Sequence, residues 1–182
     1  MNRISKVTFQ NFTEEQRALF EHITKGKRGA GQDPKSFLDQ DGAMTGPFNA
    51  VMHTPVFGET VQRMGEAVRF EGSISPPLRE MAILMVAAKW QAEFEWRAHK
   101  GIAIDAGLSP GVIDNIEEGN LPDFEHPEEA AIYHFAKELL DEYGVSDERY
   151  KNAIEHFGEA GVVELVITLG FYTQISMLLN VF

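Results

Sequence analysis

The stretch WQAEFEWRAHKGIAIDAG, Trp90–Gly107, follows directly on an almost purely apolar run at 81–90. Within it, Glu95 and His99 stand four residues apart. On a helix this spacing places both side chains on one face, about one turn apart. A carboxylate beside an imidazole fixes which ring nitrogen carries the proton and favours the charged imidazolium. Glu–His pairs also occur on solvated helix faces, so the spacing leaves both a catalytic and a purely structural role open.

The segments on either side of this stretch carry the periodicity and capping signals of helices. Thr13, with Gln16 three residues later, forms a capping box ahead of an apolar period. Ser75 precedes two prolines, which a first helical turn tolerates. No segment shows the sustained alternation of a strand with hairpin signals. We therefore predict an all-α fold, a helical bundle.

The length of 182 residues is enough for one domain with a sizeable core. The turn-rich loop GKRGAGQDP at 26–34 predicts a boundary between an N-terminal helical arm, residues 1–30, and a main domain, residues 31–182. In each half of the chain a helix–turn–short-helix unit adjoins a strongly apolar helix. An internal helical duplication is one interpretation of this similarity between the two halves.

Composition excludes several classes of function. The formal net charge of −12 argues against nucleic acid or an anionic membrane surface as a partner, because both attract basic patches. The chain has no cysteine, which excludes a disulfide framework, a thiolate metal site and every cysteine nucleophile. The first residues lack the apolar core of a secretory signal, so we predict a cytoplasmic protein.

The C-terminal segment at 162–182 is long and largely apolar, and it raises the question of a membrane span. Polar side chains recur in it at every fourth residue and form one slowly drifting stripe on a helix, namely Glu164, Thr168, Tyr172, Ser176 and Asn180. A lipid-facing helix would not normally carry this stripe. We therefore predict a buried core helix or a subunit-interface helix and no membrane partner.

Neither metal nor organic cofactor is predicted. A carboxylate-bridged di-iron bundle needs Glu-x-x-His motifs, and the sequence contains none. The other five histidines are scattered, and no glycine-rich phosphate loop or Gly-x-Ser-x-Gly elbow occurs. We predict instead a pocket for a small-molecule substrate.

Candidate pocket residues lie outside the Glu95–His99 pair as well. His53 comes just before the break at Pro55, where a side chain can face a cleft. Phe48, Trp96 and Tyr172 could form the walls of an apolar pocket. The alternative for each of these side chains is an ordinary place in the core or on the surface.

The run LREMAILMVAAKWQAEFEWRAHKGIAIDAGLSPGVIDNI resembles the core segment of the carboxymuconolactone decarboxylase family, whose superfamily also contains the alkylhydroperoxidase D-like proteins. The resemblance extends upstream to FNAVMHTPVF and downstream to ELVITLGFYTQISMLLN, and so covers roughly residues 45–182. It implies the alkylhydroperoxidase D-like helical bundle. Together with the apolar C-terminal helix, it also implies a homo-oligomer, whether dimer, trimer or hexamer.

The peroxidase branch of this superfamily has a glutamate, eleven residues, Cys-x-x-Cys, three residues and a histidine. On this chain the glutamate falls on Glu80 and the histidine on His99, while the cysteine positions fall on Ala92 and Glu95. Thiol peroxidase chemistry needs both sulfurs, and it is therefore not expected here. The resemblance implies a Glu/His site without the redox pair.

The decarboxylase branch likewise lacks the dithiol and keeps the Glu and His. Its activity implies a cofactor-free lyase that removes carbon dioxide from a small carboxylated or lactone substrate of aromatic catabolism. His99 would serve as acid and base, while Glu80 or Glu95 would orient it. The alternative is a non-catalytic oligomeric binding or scaffold protein with the same fold.

One geometric conflict separates the resemblance from the helix rules. If residues 77–106 formed one straight helix, Glu80 and His99 would lie about 28 Å apart at 1.5 Å per residue. No Gly or Pro lies between them to interrupt the helix. A shared site therefore requires a break near Trp90–Ala92 that folds one half back on the other, and we predict that break.

Overall fold

A computed structural model of the protein describes residues 3–182, and its regular structure is helical. Within these residues, strand-like pairing is limited to two isolated bridges, Thr8 with Ala43 and Leu38 with Met44. The prediction of an all-α fold is confirmed. The described part of the chain holds eight α-helices: α1 Glu14–Lys25, α2 Phe48–Met52, α3 Pro55–Phe70, α4 Pro76–Trp90, α5 Glu93–Asp105, α6 Pro110–Glu118, α7 Pro127–Glu142 and α8 Asp147–Val181. Between residue 3 and α2 lie three short 3₁₀ turns, at Phe9–Asn11, Lys27–Gly29 and Pro34–Phe37.

The first of two compact units comprises the chain up to Glu71 together with Leu178–Phe182. Its core forms where one face of α1 meets α2, with Leu19 and Ile23 packed near Met52. The Thr13–Gln16 capping box predicted at the start of α1 is present. Residue 30, the predicted end of an N-terminal arm, lies inside this unit.

The second unit comprises residues 72–177, and α4 is its central element. Residues 80–87 of α4 are all buried, and the helix packs against α5, α6 and α7. A helix that is apolar on every side finds a stable place only in a core, which explains why the MAILMVA run lies at the centre. Glu80 is buried within this apolar helix, and a charged group at such a depth needs a partner.

The predicted break between α4 and α5 is confirmed. Gln91 adopts the left-handed conformation at φ 52° and ψ 38°, and Ala92, the N-cap of α5, is also non-helical. The Ala92 N–H donates to the Ala87 carbonyl at 2.9 Å, and the Gln91 N–H donates to Ala88 at 3.1 Å. These two bonds form a Schellman motif, which satisfies the last carbonyls of α4 without glycine. The chain can then reverse and bring α5 back along α4.

The last helix, α8, is interrupted at Gly158, whose φ of 65° and ψ of 177° are not helical. Beyond this interruption the inner face of α8 is buried, including Leu165, Thr168 and Tyr172. By length and composition alone α8 could cross a membrane, and 44% of its most apolar window is buried inside the structure. The carboxylate of Glu164 accepts hydrogen bonds from the backbone N–H and hydroxyl of Ser73, which connect α8 to the loop before α4.

Candidate functional site

A buried carboxylate and a buried imidazole meet across the α4–α5 reversal. Nδ1 of His99, on α5, donates to Oε2 of Glu80, on α4, at 2.6 Å. The residues are 4% and 1% exposed, so water does not compete for this bond. A charge-assisted hydrogen bond of this length in a dry environment is strong. It fixes the orientation of the ring and leaves Nε2 as the other reactive atom.

Glu95 faces that second nitrogen. Its Oε2 lies 3.4 Å from Nε2 of His99, as expected for residues one helical turn apart. This separation exceeds the usual length of an N–H···O hydrogen bond, so the imidazole is held firmly on one side and loosely on the other. The proton on Nε2 is therefore the one that can leave.

Together the three side chains form a line of carboxylate, imidazole and carboxylate. Burial alone would lower the pKa of His99, but the hydrogen bond to Glu80 and the nearby carboxylate of Glu95 outweigh it and raise that pKa above its usual value. The imidazolium is thus the favoured form beside two carboxylates. Nε of Arg79 lies 3.8 Å from Oε1 of Glu80 and adds a second positive charge on that side.

One aromatic side chain borders the line, and a second follows Glu95 in the sequence. The ring of Tyr172, from α8, meets the imidazole of His99 edge to face, with centroids 5.1 Å apart. Trp96 lies one residue after Glu95 on α5, and Lys100 lies over its ring at 5.8 Å from the centroid. The buried indole Nε1 of Trp96 has no hydrogen-bond partner in the described part of the chain. An unsatisfied buried donor of this kind is unusual in a native structure.

A cavity of about 590 Å³ opens at the α4–α5 break. Its walls include Ala92 and Trp96, which each precede a member of the Glu95–His99 pair by three residues. Arg97 and Glu117, the latter from α6, supply its polar rim. The cavity falls in the size range of small-ligand sites. Its lining does not include His99 or Glu80.

The remaining predicted site residues belong to the first unit. Nε2 of His53 lies 2.9 Å from the carbonyl oxygen of Ser5, so this ring nitrogen is engaged by the backbone. Phe48 begins α2, and the guanidinium of Arg28 lies over its ring at 5.3 Å from the centroid. The structure therefore brings together Glu80, Glu95, His99 and Tyr172, with Trp96 alongside on α5. Their roles toward a substrate stay predictions.

No group of three or more potential ligands from His, Asp and Glu is arranged to hold a metal ion within residues 3–182. In the line around His99, both ring nitrogens point at carboxylates. A metal ligand needs one of these nitrogens as a free lone pair. The arrangement therefore suits proton transfer better than coordination.

Comparison with known proteins adds a family likeness to this geometry. The model of the carboxymuconolactone decarboxylase family matches residues 55–138, a segment that contains Glu80, Glu95 and His99. Over this segment the chain is similar to that family. The fold is similar to that of a crystal structure from Agrobacterium tumefaciens, a protein of unknown function provisionally described as the antioxidant defence protein AhpD. That likeness has a TM-score of 0.66 at 16% identity and covers 76% of this chain and 95% of the other. No curated protein matches the sequence significantly.

Two residues near the site could not be assigned a place there from the sequence. Arg79 is one of them, and its guanidinium lies beside the carboxylate of Glu80. The only signal in the sequence is that Arg79 directly precedes Glu80. Glu117, on the rim of the cavity, gave no signal at all, because its place depends on how α6 packs.

Proposed function

We propose that the protein is a cofactor-free enzyme that carries out proton transfer on a small carboxylated or lactone substrate, with loss of carbon dioxide as the favoured reaction. The observation that carries the proposal is the buried line from Glu80 through His99 to Glu95. Burying three titratable side chains costs stability, and apolar residues of similar size would stabilise a core at least as well. Such a cost is typical of sites where proton affinity matters.

The proposed reaction places a definite demand on each group. Cleavage of the bond between the substrate carboxylate and its neighbouring carbon releases carbon dioxide and leaves an electron pair on that carbon. The pair moves into the conjugated lactone carbonyl, and the carbon is then protonated. The charged imidazole of His99 supplies that proton from Nε2, through Glu95 or directly, and recovers it from solvent. Glu80 holds Nδ1 and keeps the ring positively charged while the substrate carbanion forms.

The cavity at the α4–α5 break is the proposed entry for the substrate. Three alanines and Trp96 give it room for a small ring, and the charged side chains of Arg97 and Glu117 can orient polar substituents. Glu95 and His99 follow Ala92 and Trp96 by three residues each along the start of α5, although neither of them lines the cavity.

A screen of small carboxylated lactones and aromatic-ring cleavage acids tests the proposal. Ligands are first selected by thermal shift, and carbon dioxide release is then measured. Replacing the acid and base should lower kcat by about 100-fold or more in His99→Gln and Glu95→Gln. His156→Gln, at an exposed histidine of α8, is the matched control and should retain full activity. Full activity of a folded His99→Gln protein would refute the assigned roles.

One observation favours a second candidate, a non-catalytic binding protein. Both nitrogens of His99 are occupied, and only 4% of the residue is exposed. A purely structural line would hold α4 to α5 while the cavity binds a ligand without turnover. A ligand that raises Tm equally in wild type and His99→Gln, with no product formed, would support this candidate over the enzyme.

A further inference from the structure

The cavity at the α4–α5 break stops short of the imidazole that it is proposed to serve. Its lining contains Ala92 and Trp96 but neither Glu95 nor His99. Both ring nitrogens of His99 face carboxylates, and the residue is buried. A substrate in the cavity therefore cannot meet His99 unless a side chain between the two moves.

Two neighbouring rows of side chains at the start of α5 separate the cavity from the imidazole. Ala92 and Trp96 form the row that lines the cavity, and Glu95 and His99 form the row beside it. Each member of the second row follows a member of the first by three residues, a spacing at which Cβ atoms on a helix lie about 5–6 Å apart. Ala92 carries only a methyl group, so Trp96 is the one bulky side chain of the row that lines the cavity.

The other side chains around the imidazole do not open onto solvent. Glu80 and Glu95 face its two nitrogens, and Tyr172 meets its ring edge to face. All three of these residues are buried. Trp96, by contrast, is partly exposed and already borders a cavity. A small molecule therefore has its shortest way to His99 past Trp96.

The indole of Trp96 can turn without breaking a hydrogen bond. Its Nε1 is buried and has no hydrogen-bond partner within residues 3–182. A buried N–H without an acceptor costs free energy, whereas an N–H turned toward the cavity meets water or a substrate oxygen. Three of the residues that line the cavity are alanines, Ala87, Ala88 and Ala92, and its volume of about 590 Å³ leaves room for the ring to turn.

Lys100 holds the ring in the position seen in the structure. Its ammonium group lies over the Trp96 ring at 5.8 Å from the centroid, a cation–π contact. The same nitrogen donates to Oε2 of Glu117 at 2.8 Å and lies 3.5 Å from Oδ1 of Asp114, and both carboxylates belong to α6. Ion pairs at this degree of exposure contribute little stability, so the ring is released at a low cost.

We propose that Trp96 is a gate between the cavity and the imidazole of His99, and that Lys100 holds this gate closed. The structure shows the closed position, in which the indole shields the row of Glu95 and His99 from the cavity. In the open position the indole N–H has an acceptor, and a small molecule in the cavity reaches Nε2 of His99. The inference rests on the proposed function in taking this cavity as the entry of the substrate, but opening of the gate is measurable without turnover.

Diethyl pyrocarbonate, a small reagent that acylates imidazole nitrogens, measures access to His99 directly. Peptide mass spectrometry follows the labelling of His99, with the exposed His156 as internal reference. Lys100→Met should speed the labelling of His99 by about 3–5-fold, the factor that an exposed cation–π contact is worth. Loss of a nearby positive charge would favour the protonated imidazole and slow the reaction, so faster labelling reports access.

The matched control is Lys137→Met, which also removes a lysine paired with a carboxylate, that of Asp141 at 2.7 Å, but outside this cavity. It should leave the labelling of His99 unchanged, whereas Trp96→Ala should speed it beyond Lys100→Met. Equal His99 rates in wild type and Lys100→Met, or equal gains in Lys100→Met and Lys137→Met, would overturn the gate.

Low urea concentrations separate a gate from a general loosening of α5. Turning one side chain exposes little surface, so the labelling rate of His99 should stay constant up to about 1 M urea in wild type and in Lys100→Met. Local unfolding of α5 would expose a whole helix, and a rate that rises with urea in both proteins would overturn the gate. Absence of carbon dioxide release refutes the proposed reaction alone, whereas unchanged labelling in Lys100→Met refutes the gate alone.

Discussion

Replacing His99 with leucine should destabilise the second unit strongly, because two buried carboxylates lose the imidazolium between them. Glu80 retains the guanidinium of Arg79 at 3.8 Å, whereas the positive charge facing Glu95 at 3.4 Å is removed. Breaking a buried ion pair typically costs 3–5 kcal/mol, and the remaining Arg79 contact places His99→Leu near the lower end, at about 3 kcal/mol. For a protein of this size that corresponds to a fall in Tm of about 6–12 °C.

The double variant His99→Leu/Glu95→Leu makes this reasoning testable. It removes the carboxylate that the single change leaves unpaired, so it should be about 2 kcal/mol more stable than His99→Leu alone. Thermal and urea unfolding, followed by circular dichroism, measure both variants against wild type. His156→Leu, at an exposed position, should change stability by no more than about 0.5 kcal/mol. A double variant less stable than the single one would show that Glu95 is not held as a buried charge.

Three further outcomes are expected. The pKa of His99 is raised in the folded protein, so protonation of this residue stabilises the fold. This stabilisation is complete at pH values below the unfolded pKa, near 6.5, and declines as the pH rises through the folded pKa. Urea unfolding midpoints measured across pH should show the decline in wild type but not in His99→Leu. Gln91→Gly should raise the free energy of unfolding by about 1 kcal/mol and Gln91→Val should lower it, since glycine adopts the left-handed conformation without strain. Gly58→Ala should lower stability by about 1–3 kcal/mol in thermal unfolding, because a Cβ there would lie 2.5 Å from Cδ2 of Leu19, whereas Gly101→Ala has open space and should not.

The parts of the site that could be read from sequence are those set by local geometry. Glu95 and His99 lie on the same face of α5 because they are four residues apart within one helix. The all-α fold follows from capping signals and apolar periods, and the central place of α4 from an apolar run too uniform to have a solvent face. Each of these inferences uses interactions within one or two helical turns.

The parts that sequence rules alone could not give depend on contacts between distant residues. The Glu80–His99 bond requires the reversal at Gln91, and glutamine has no marked preference for a left-handed conformation. Only the family resemblance, which needs both residues in one site, indicated the break. The position of Tyr172 against His99 depends on how α8 packs, which its own periodicity does not determine.

The reversal at Gln91 also makes the length of this segment matter more than most of its individual residues. Glu80 and His99 meet because a fixed number of residues rises along α4, turns, and descends along α5. Inserting or deleting one residue within either helical arm would rotate everything beyond it by about 100° and shift it by 1.5 Å, so His99 would turn away from its carboxylate. Exposed residues such as Phe94 or Ala98 can therefore be substituted, while the number of residues between positions 80 and 99 cannot change. The geometry of the site therefore depends on the number of residues between Glu80 and His99.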